Sequence, residues 1–204
     1  MSNPADEAQP KTDARPVESG PIVEDGRTRR EGPGLGRWIV ETVVMVALAF
    51  ALAQGIKTFV VQPFVIPTGS MEPTILVGDR VLAEKITYRF SPPSAGDIVV
   101  FDDPAGMYPQ LIKRIVAVGG QTIDIRDGAV FIDGALLEEP YTAAAMTELA
   151  GQSLPITIPE DYVWLMGDNR PNSSDSRIFG PQPVESIGGR AVAIYWPPSR
   201  IGGL

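Results

Sequence analysis

Residues 111–134, LIKRIVAVGGQTIDIRDGAVFIDG, carry the pattern that decides the fold. The apolar runs are short, rich in Val and Ile, and stop at Gly119-Gly120, Asp127-Gly128 and Asp133-Gly134. β-branched side chains suit a pleated surface, and turn residues at this spacing read as strands joined by turns. Asp127-Gly128 lies between Ile123-Asp124-Ile125 and Val130-Phe131-Ile132, the Asx-Gly signature of a two-residue hairpin. Outward in both directions the same texture recurs in VGDRVLAEKI (77–86), GDIVVFDDP (96–104), DYVWLMGDN (161–169) and GRAVAIYWPP (189–198). Gly 21 and Pro 20 together make up about a fifth of the 204 residues, against ordinary usage of about 7% and 5%. The expected fold class is therefore mostly β, with residues 59–204 as the β domain. The stretch TAAAMTELAGQS (142–153) is the least strand-like part and reads as a loop or short helix.

Upstream the pattern changes abruptly. Between Arg37 and Lys57 lie 19 residues, WIVETVVMVALAFALAQGI, whose only charge is Glu41. As a helix this run is roughly 28 Å long, close to the hydrocarbon thickness of a bilayer. A soluble helix of that length would show a polar face, and this one shows almost none. Ala51-Leu52-Ala53 resembles a small-x-small cleavage site, but the run is longer than a signal h-region and Phe59-Val60-Val61 continues it. Residues 37–58 are thus expected to be an uncleaved transmembrane anchor. Arg27, Arg29, Arg30 and Arg37, set against the lone Lys57 beyond, place the N-terminus in the cytoplasm and the β domain outside. Residues 1–36 hold five Pro, five Gly and no aromatic residue, a composition that reads as a disordered tail.

Two zeros in the composition exclude more chemistry than any motif supplies: the chain has no His and no Cys. Zinc sites of Cys and His, disulfides, thiol nucleophiles and the Ser-His-Asp triad are all impossible. A general base has to be Asp, Glu, Lys or Tyr. The net charge of −8 argues against nucleic acid as a partner.

Three stretches carry polar residues in unusual settings. TGSMEPT (68–74) places Ser70 directly after Gly69 in a bent segment between Pro67 and Pro73; a serine in such a turn ordinarily hydrogen-bonds its own backbone. In LIKRIVAV (111–118), period-two alternation puts Lys113 with Leu111 and Ile115, and Arg114 with Ile112 and Val116, so one cation sits among inward apolar neighbours. Protection of a sheet edge is one reading. The other is a desolvated base, since lowering a lysine pKa from about 10.4 to 7 or 8 takes roughly 3 to 4.5 kcal/mol of desolvation. GDNRPNSSDSRIFG (167–180) packs two Asp, two Asn, two Arg and three Ser into fourteen residues, for which ion pairing such as Asp175 with Arg177 is the default.

In this order, after one membrane span, the three stretches resemble the bacterial type I signal peptidase family over Arg37 to Trp196. The resemblance implies an extracytoplasmic antiparallel β-sheet domain of signal peptidase type. It makes Ser70 the nucleophile and Lys113 the general base, Ser173 the serine that holds the lysine by a hydrogen bond, and Asp175 with Arg177 a structural pair. The Ser70 backbone N–H and the Thr68 hydroxyl become the oxyanion donors. Shallow apolar pockets for small residues at positions minus one and minus three fall to Phe64, Ile66, Met71 and Ile112, for which core packing is the ordinary alternative. Implied partners are signal peptides of secreted preproteins and the lipid bilayer, with no metal or other cofactor. One departure is Gly119-Gly120-Gln121 where many relatives have Pro-Gly-Asp, which puts the turn geometry there in question. Self-cleaving Ser-Lys repressors share the dyad but are soluble and carry a DNA-binding module; a non-catalytic membrane-anchored β-rich module would have no reason to keep Ser70 with Lys113. Neither Ser-x-x-Lys nor G-x-S-x-G occurs.

Overall fold

A computed structural model describes residues 34–142 and 151–204. The expected disordered tail lies outside the described residues except for 34–36, and the first helix, α1 (Leu35–Phe59), begins two residues before the expected anchor. Arg37 extends the helix because it pairs with Glu41 one turn on, at 2.8 Å. No side chain of α1 is buried, and Val43, Met45, Leu48 and Phe50 are all more than 60% exposed. A helix that is apolar on nearly every face and has no buried residue is suited to an apolar phase, and α1 is long and apolar enough to cross a membrane.

The β domain contains strands β1 (Val61–Val65), β2 (Arg80–Glu84), β3 (Ile98–Asp102), β4 (Gln110–Val118), β5 (Thr122–Arg126), β6 (Ala129–Ile132), β7 (Ala135–Leu136), β8 (Ile156–Thr157), β9 (Tyr162–Met166), β10 (Gln182–Pro183), β11 (Ile187–Trp196) and β12 (Gly202–Gly203). The large sheet has the order β1-β2-β11-β3-β4-β9-β10, with β12 on β11; the small one runs β7-β6-β5-β8. Every pairing is antiparallel. The hairpin at Asp127-Gly128 forms with φ of 51° and 79°, joining Arg126 to Ala129 across the ladder. Asp133-Gly134 repeats that geometry between β6 and β7, with φ of 50° and 82°. The Gly119-Gly120-Gln121 departure closes a turn without proline: Gln121 N donates to Val118 O at 3.1 Å, and Gly120 takes the φ of +83° that the third position of a type II turn requires.

β1 is a strand that the run of Val and Ile did not single out, because Pro63 interrupts it. Proline lacks the N–H a central ladder needs and is tolerated here because β1 is an edge, with β2 its one partner among the described strands. The expected loop or short helix at 142–153 falls largely on residues outside those described. Apolar side chains pack on both faces of the large sheet. Ile66, Met71, Ile75, Val81 and Ile98 form one cluster, and Val99, Phe101, Ile115, Val163 and Leu165 another. A third joins the small sheet to Trp164 and Met166.

Two features of this topology position the site. β1 has one unpaired edge. The β4–β9 ladder stops at Arg114 opposite Met166, so Gln110–Lys113 pair with β3 on one side and with no described strand on the other.

Candidate active site

Ser70 sits in the turn that follows β1, 7% exposed. Glu72 N donates to Gly69 O and Ile75 N to Met71 O, so the chain coils directly after the serine. Met71 and Ile75, both fully buried, anchor that coil in the core. A Cβ on Gly69 would lie 2.9 Å from the carboxyl carbon of Glu72, so that flexible side chain would have to swing aside for any larger residue there. From the far side Asn169 clamps the turn: its N–H donates to Ser70 O at 3.1 Å and its Nδ2 to Gly69 O at 2.9 Å.

Lys113 on β4 reaches this turn. Its Nζ lies 2.8 Å from Ser70 Oγ and 3.0 Å from Ile112 O, and the residue is 3% exposed. Burial lowers its pKa to about 8, against the opposing fields of Asp175, Asp168 and Asp103. The Ile112 carbonyl can only accept, so it takes an N–H from Nζ in either protonation state. In the neutral amine the lone pair is then free to accept the Ser70 hydroxyl proton.

The stretch from Gly167 to Arg177 folds around buried charge. Asp175 accepts from Gly167 N at 3.1 Å and from Arg177 Nε and Nη2 at 2.8 and 2.9 Å, so the expected Asp175–Arg177 pair is formed and fully enclosed. Arg177 Nη2 also donates to Arg170 O, and Ser176 Oγ accepts from Leu165 N. Arg170 in turn binds Gly167 O and the Glu139 carboxylate. Asp168, wholly buried, holds Arg114 through two hydrogen bonds of 2.9 and 2.7 Å and accepts from Thr74 Oγ1 at 2.6 Å. Arg114 stacks on Tyr141 with its guanidinium carbon 4.0 Å from the ring centre. Sequence reading treated Asp168, Asn169 and Arg170 as part of a dense cluster and gave them no partners. The signal that was available is the pairing of Arg114 with an otherwise unexplained inward carboxylate.

Two expected site residues are placed otherwise than expected. Lys113 Nζ bonds Ser70 Oγ and the Ile112 carbonyl, while Ser173 Oγ is buried with no hydrogen-bond partner among the described residues. It packs instead on Gly167, where a Cβ would collide with Ser173 Oγ and Ser70 O. Met71 does not line the cleft either. It is fully buried beside Ile66 and Ile75, because the coil after Ser70 turns its side chain into the core. The other three apolar residues do meet: Phe64, Ile66 and Ile112 line one cavity of about 70 Å³ that also borders Thr68, Ser70 and Lys113.

The chain is similar to known proteins over most of its length. A family profile described as signal peptidase, peptidase S26, matches residues 37–196. The chain is 38% identical over 186 residues to the probable signal peptidase I-2 of a Synechocystis species, covering 89% of this chain and 84% of that one. It is 37% identical to the signal peptidase I of Leptolyngbya laminosa, over 100% of this chain and 97% of the relative. For the signal peptidase I of Mycobacterium tuberculosis the identity is 33%, over 93% and 85%. With a profile that runs from the apolar helix to the last residue of β11, and relatives matched over most of their own lengths, the chain belongs to the signal peptidase family, peptidase S26.

Proposed function

We propose that this protein is a membrane-anchored serine endopeptidase that removes N-terminal signal peptides from secreted preproteins, with Ser70 as nucleophile and Lys113 as general base. The observation that carries the reading is the buried 2.8 Å contact between Lys113 Nζ and Ser70 Oγ in a chain without His or Cys. Neutral Lys113 takes the Ser70 proton as Oγ bonds to the scissile carbonyl carbon, and the negative charge gathers on the carbonyl oxygen. The family resemblance gives the role of donors to that oxygen to the Ser70 N–H and the Thr68 hydroxyl, and Thr68 lines the same cavity as Ser70 and Lys113. Collapse breaks the C–N bond, the Lys113 ammonium returns its proton to the leaving nitrogen, and the amine departs. Water then attacks the acyl carbon with Lys113 again accepting a proton, the Ser70 Oγ–C bond breaks, and Lys113 returns that proton to Ser70 Oγ as the carboxyl product leaves. Asp175 and Arg177 hold the third stretch in place and touch no reacting atom.

The substrate lies extended between the free edge of β1 and Gln110–Lys113 of β4, adding a strand by main-chain hydrogen bonds. Phe64, Ile66 and Ile112 line the narrow apolar cavity there, which suits small side chains at minus one and minus three.

The test is the pH dependence of preprotein cleavage by the full-length protein in detergent micelles. A base with a pKa of about 8 is only about one-tenth neutral at pH 7. The rate therefore rises about tenfold per pH unit below pH 7, reaches half its plateau near pH 8 and levels above pH 9. A profile flat from pH 6 to 10, or one that falls as pH rises, removes Lys113 as the base.

The arginines before α1 assign its N-terminal end to the cytoplasm and the β domain to the opposite side. Protease added to intact spheroplasts is expected to digest the β domain. Its survival until the membrane is opened would reverse the orientation.

A further inference from the structure

Two cavities open on the Ser70–Lys113 pair. The apolar one just described is walled by two free strand edges. A second, of about 180 Å³, shares Thr68, Ser70, Tyr108, Leu111 and Lys113 with it. It then continues in another direction, to Asp103, Asn172, Ser174 and Phe179. On the proposed reading the first cavity takes the residues before the scissile bond, because only there can an extended chain pair with both edges. A polypeptide that crosses Ser70 Oγ has to leave by the second.

We infer that this second cleft binds the first residues after the scissile bond, and that Asp103 makes it a charge filter that favours basic over acidic side chains at those positions. This inference rests on the peptidase reading and extends it to the leaving-group side. Among the described residues that line either cavity, Asp103 is the one carboxylate. It is fixed there by its own loop: Oδ1 accepts from Ala105 N at 3.0 Å, and Oδ2 from Met107 N and Tyr108 N at 2.9 and 3.0 Å. Three N–H donors hold an ionised carboxylate in place, and the same turn leaves Tyr108 half exposed at the junction of the two cavities. Its field reaches the reacting centre, where it acts on Lys113. Asn172 and Ser174, both exposed, add polar groups without a compensating cation, so the cleft is net negative whenever Lys113 is neutral. The new amino terminus released on this side has a pKa of about 8 and gains from the same carboxylate once protonated.

The experiment uses full-length protein in detergent micelles at low salt. Matched preproteins carry one Ala-x-Ala sequence before the cleaved bond and Lys, Gln or Glu at the first two positions after it. The wild type is expected to prefer Lys over Glu in kcat/KM by roughly two- to fivefold, the size of a partly exposed charge pair, and added salt should erode the ratio. Asp103→Asn should bring the ratio to about one. Ser174→Lys, which adds a cation to the same cleft from an exposed position and so offsets Asp103, should likewise bring it to about one, and keeps the test decisive if Asp103→Asn disturbs the loop. A wild-type ratio of one, or a ratio unmoved in both variants, overturns the filter while leaving the peptidase intact. Failure to cleave any of the three substrates overturns the peptidase reading itself. Selection at minus three, which belongs to the other cavity, should not change in either variant.

Discussion

Lys113→Met is expected to lower kcat for preprotein cleavage by about 10⁴-fold, the loss seen when a serine nucleophile is deprived of its base, and at the same time to stabilise the β domain. Both effects have one cause. The lysine sits 3% exposed, and burial lowers its pKa from 10.5 to about 8. That shift corresponds to a penalty on the charged form of the order of 3 kcal/mol, which methionine of similar shape does not incur. The sign follows from proton uptake. Between pH 8 and 10.5 the unfolded chain binds the extra proton, so wild-type stability rises with pH across that window. The advantage of Lys113→Met is therefore full below pH 8 and gone by about pH 10.5. Ser70→Ala should match the loss of kcat with little change in stability, because the hydroxyl is small and carries no charge. Single-turnover rates at stoichiometric enzyme and thermal melts at pH 7 and 10 separate the two variants. Retention of more than about a hundredth of the wild-type kcat by either one excludes that residue from the chemistry.

What sequence could and could not reveal divides along chain distance. The hairpin at Asp127-Gly128 was legible because the turn chemistry and both flanking strands are local. Lys113 among apolar neighbours was legible because the period of a strand is fixed at two, and the structure adds only which face its side chain takes. Its meeting with Ser70 across 43 positions came from the resemblance, since no periodicity relates a turn to a distant strand. Met71 shows the limit within a motif: an apolar residue beside a nucleophile has the same composition whether it lines a cleft or anchors the turn. Only the coil fixed by Ile75 N and Met71 O decides it. Ser173 is illegible for a different reason. A hydroxyl carries no positional signal, and its geometry depends on Gly167, whose missing side chain lets Ser173 and Ser70 O approach the same backbone atom. Asn169, which clamps the nucleophile from both its backbone and its amide, was hidden because its partners lie a hundred residues away.

Asp168→Ala is expected to destabilise the β domain by about 3 to 5 kcal/mol, the range for removing one partner of a buried ion pair, and so to take away a large share of a typical domain stability of about 5 to 15 kcal/mol. The carboxylate has no exposed surface and neutralises an Arg114 side chain that is 11% exposed. Its removal leaves that guanidinium on the Tyr141 ring with Gly96 O as an acceptor and leaves Thr74 Oγ1 without the acceptor it has now. Thr74 closes the coil that starts at Ser70, and Asp168 adjoins Asn169, which grips Ser70 and Gly69. Activity per folded molecule should therefore fall as well, because a displacement of about 1 Å at a nucleophile reduces the rate by about 100-fold. The double variant Asp168→Leu with Arg114→Met distinguishes charge pairing from simple packing. If the penalty is an uncompensated buried cation, the pair of apolar residues restores most of the stability that Asp168→Ala removes. It should not restore the rate, since neither new side chain can hold Thr74 Oγ1. Denaturant melts of the single and double variants in detergent give the first comparison, and kcat below the unfolding transition gives the second. A double variant as unstable as Asp168→Ala would show that shape rather than charge is what this carboxylate supplies to the turn beneath Ser70.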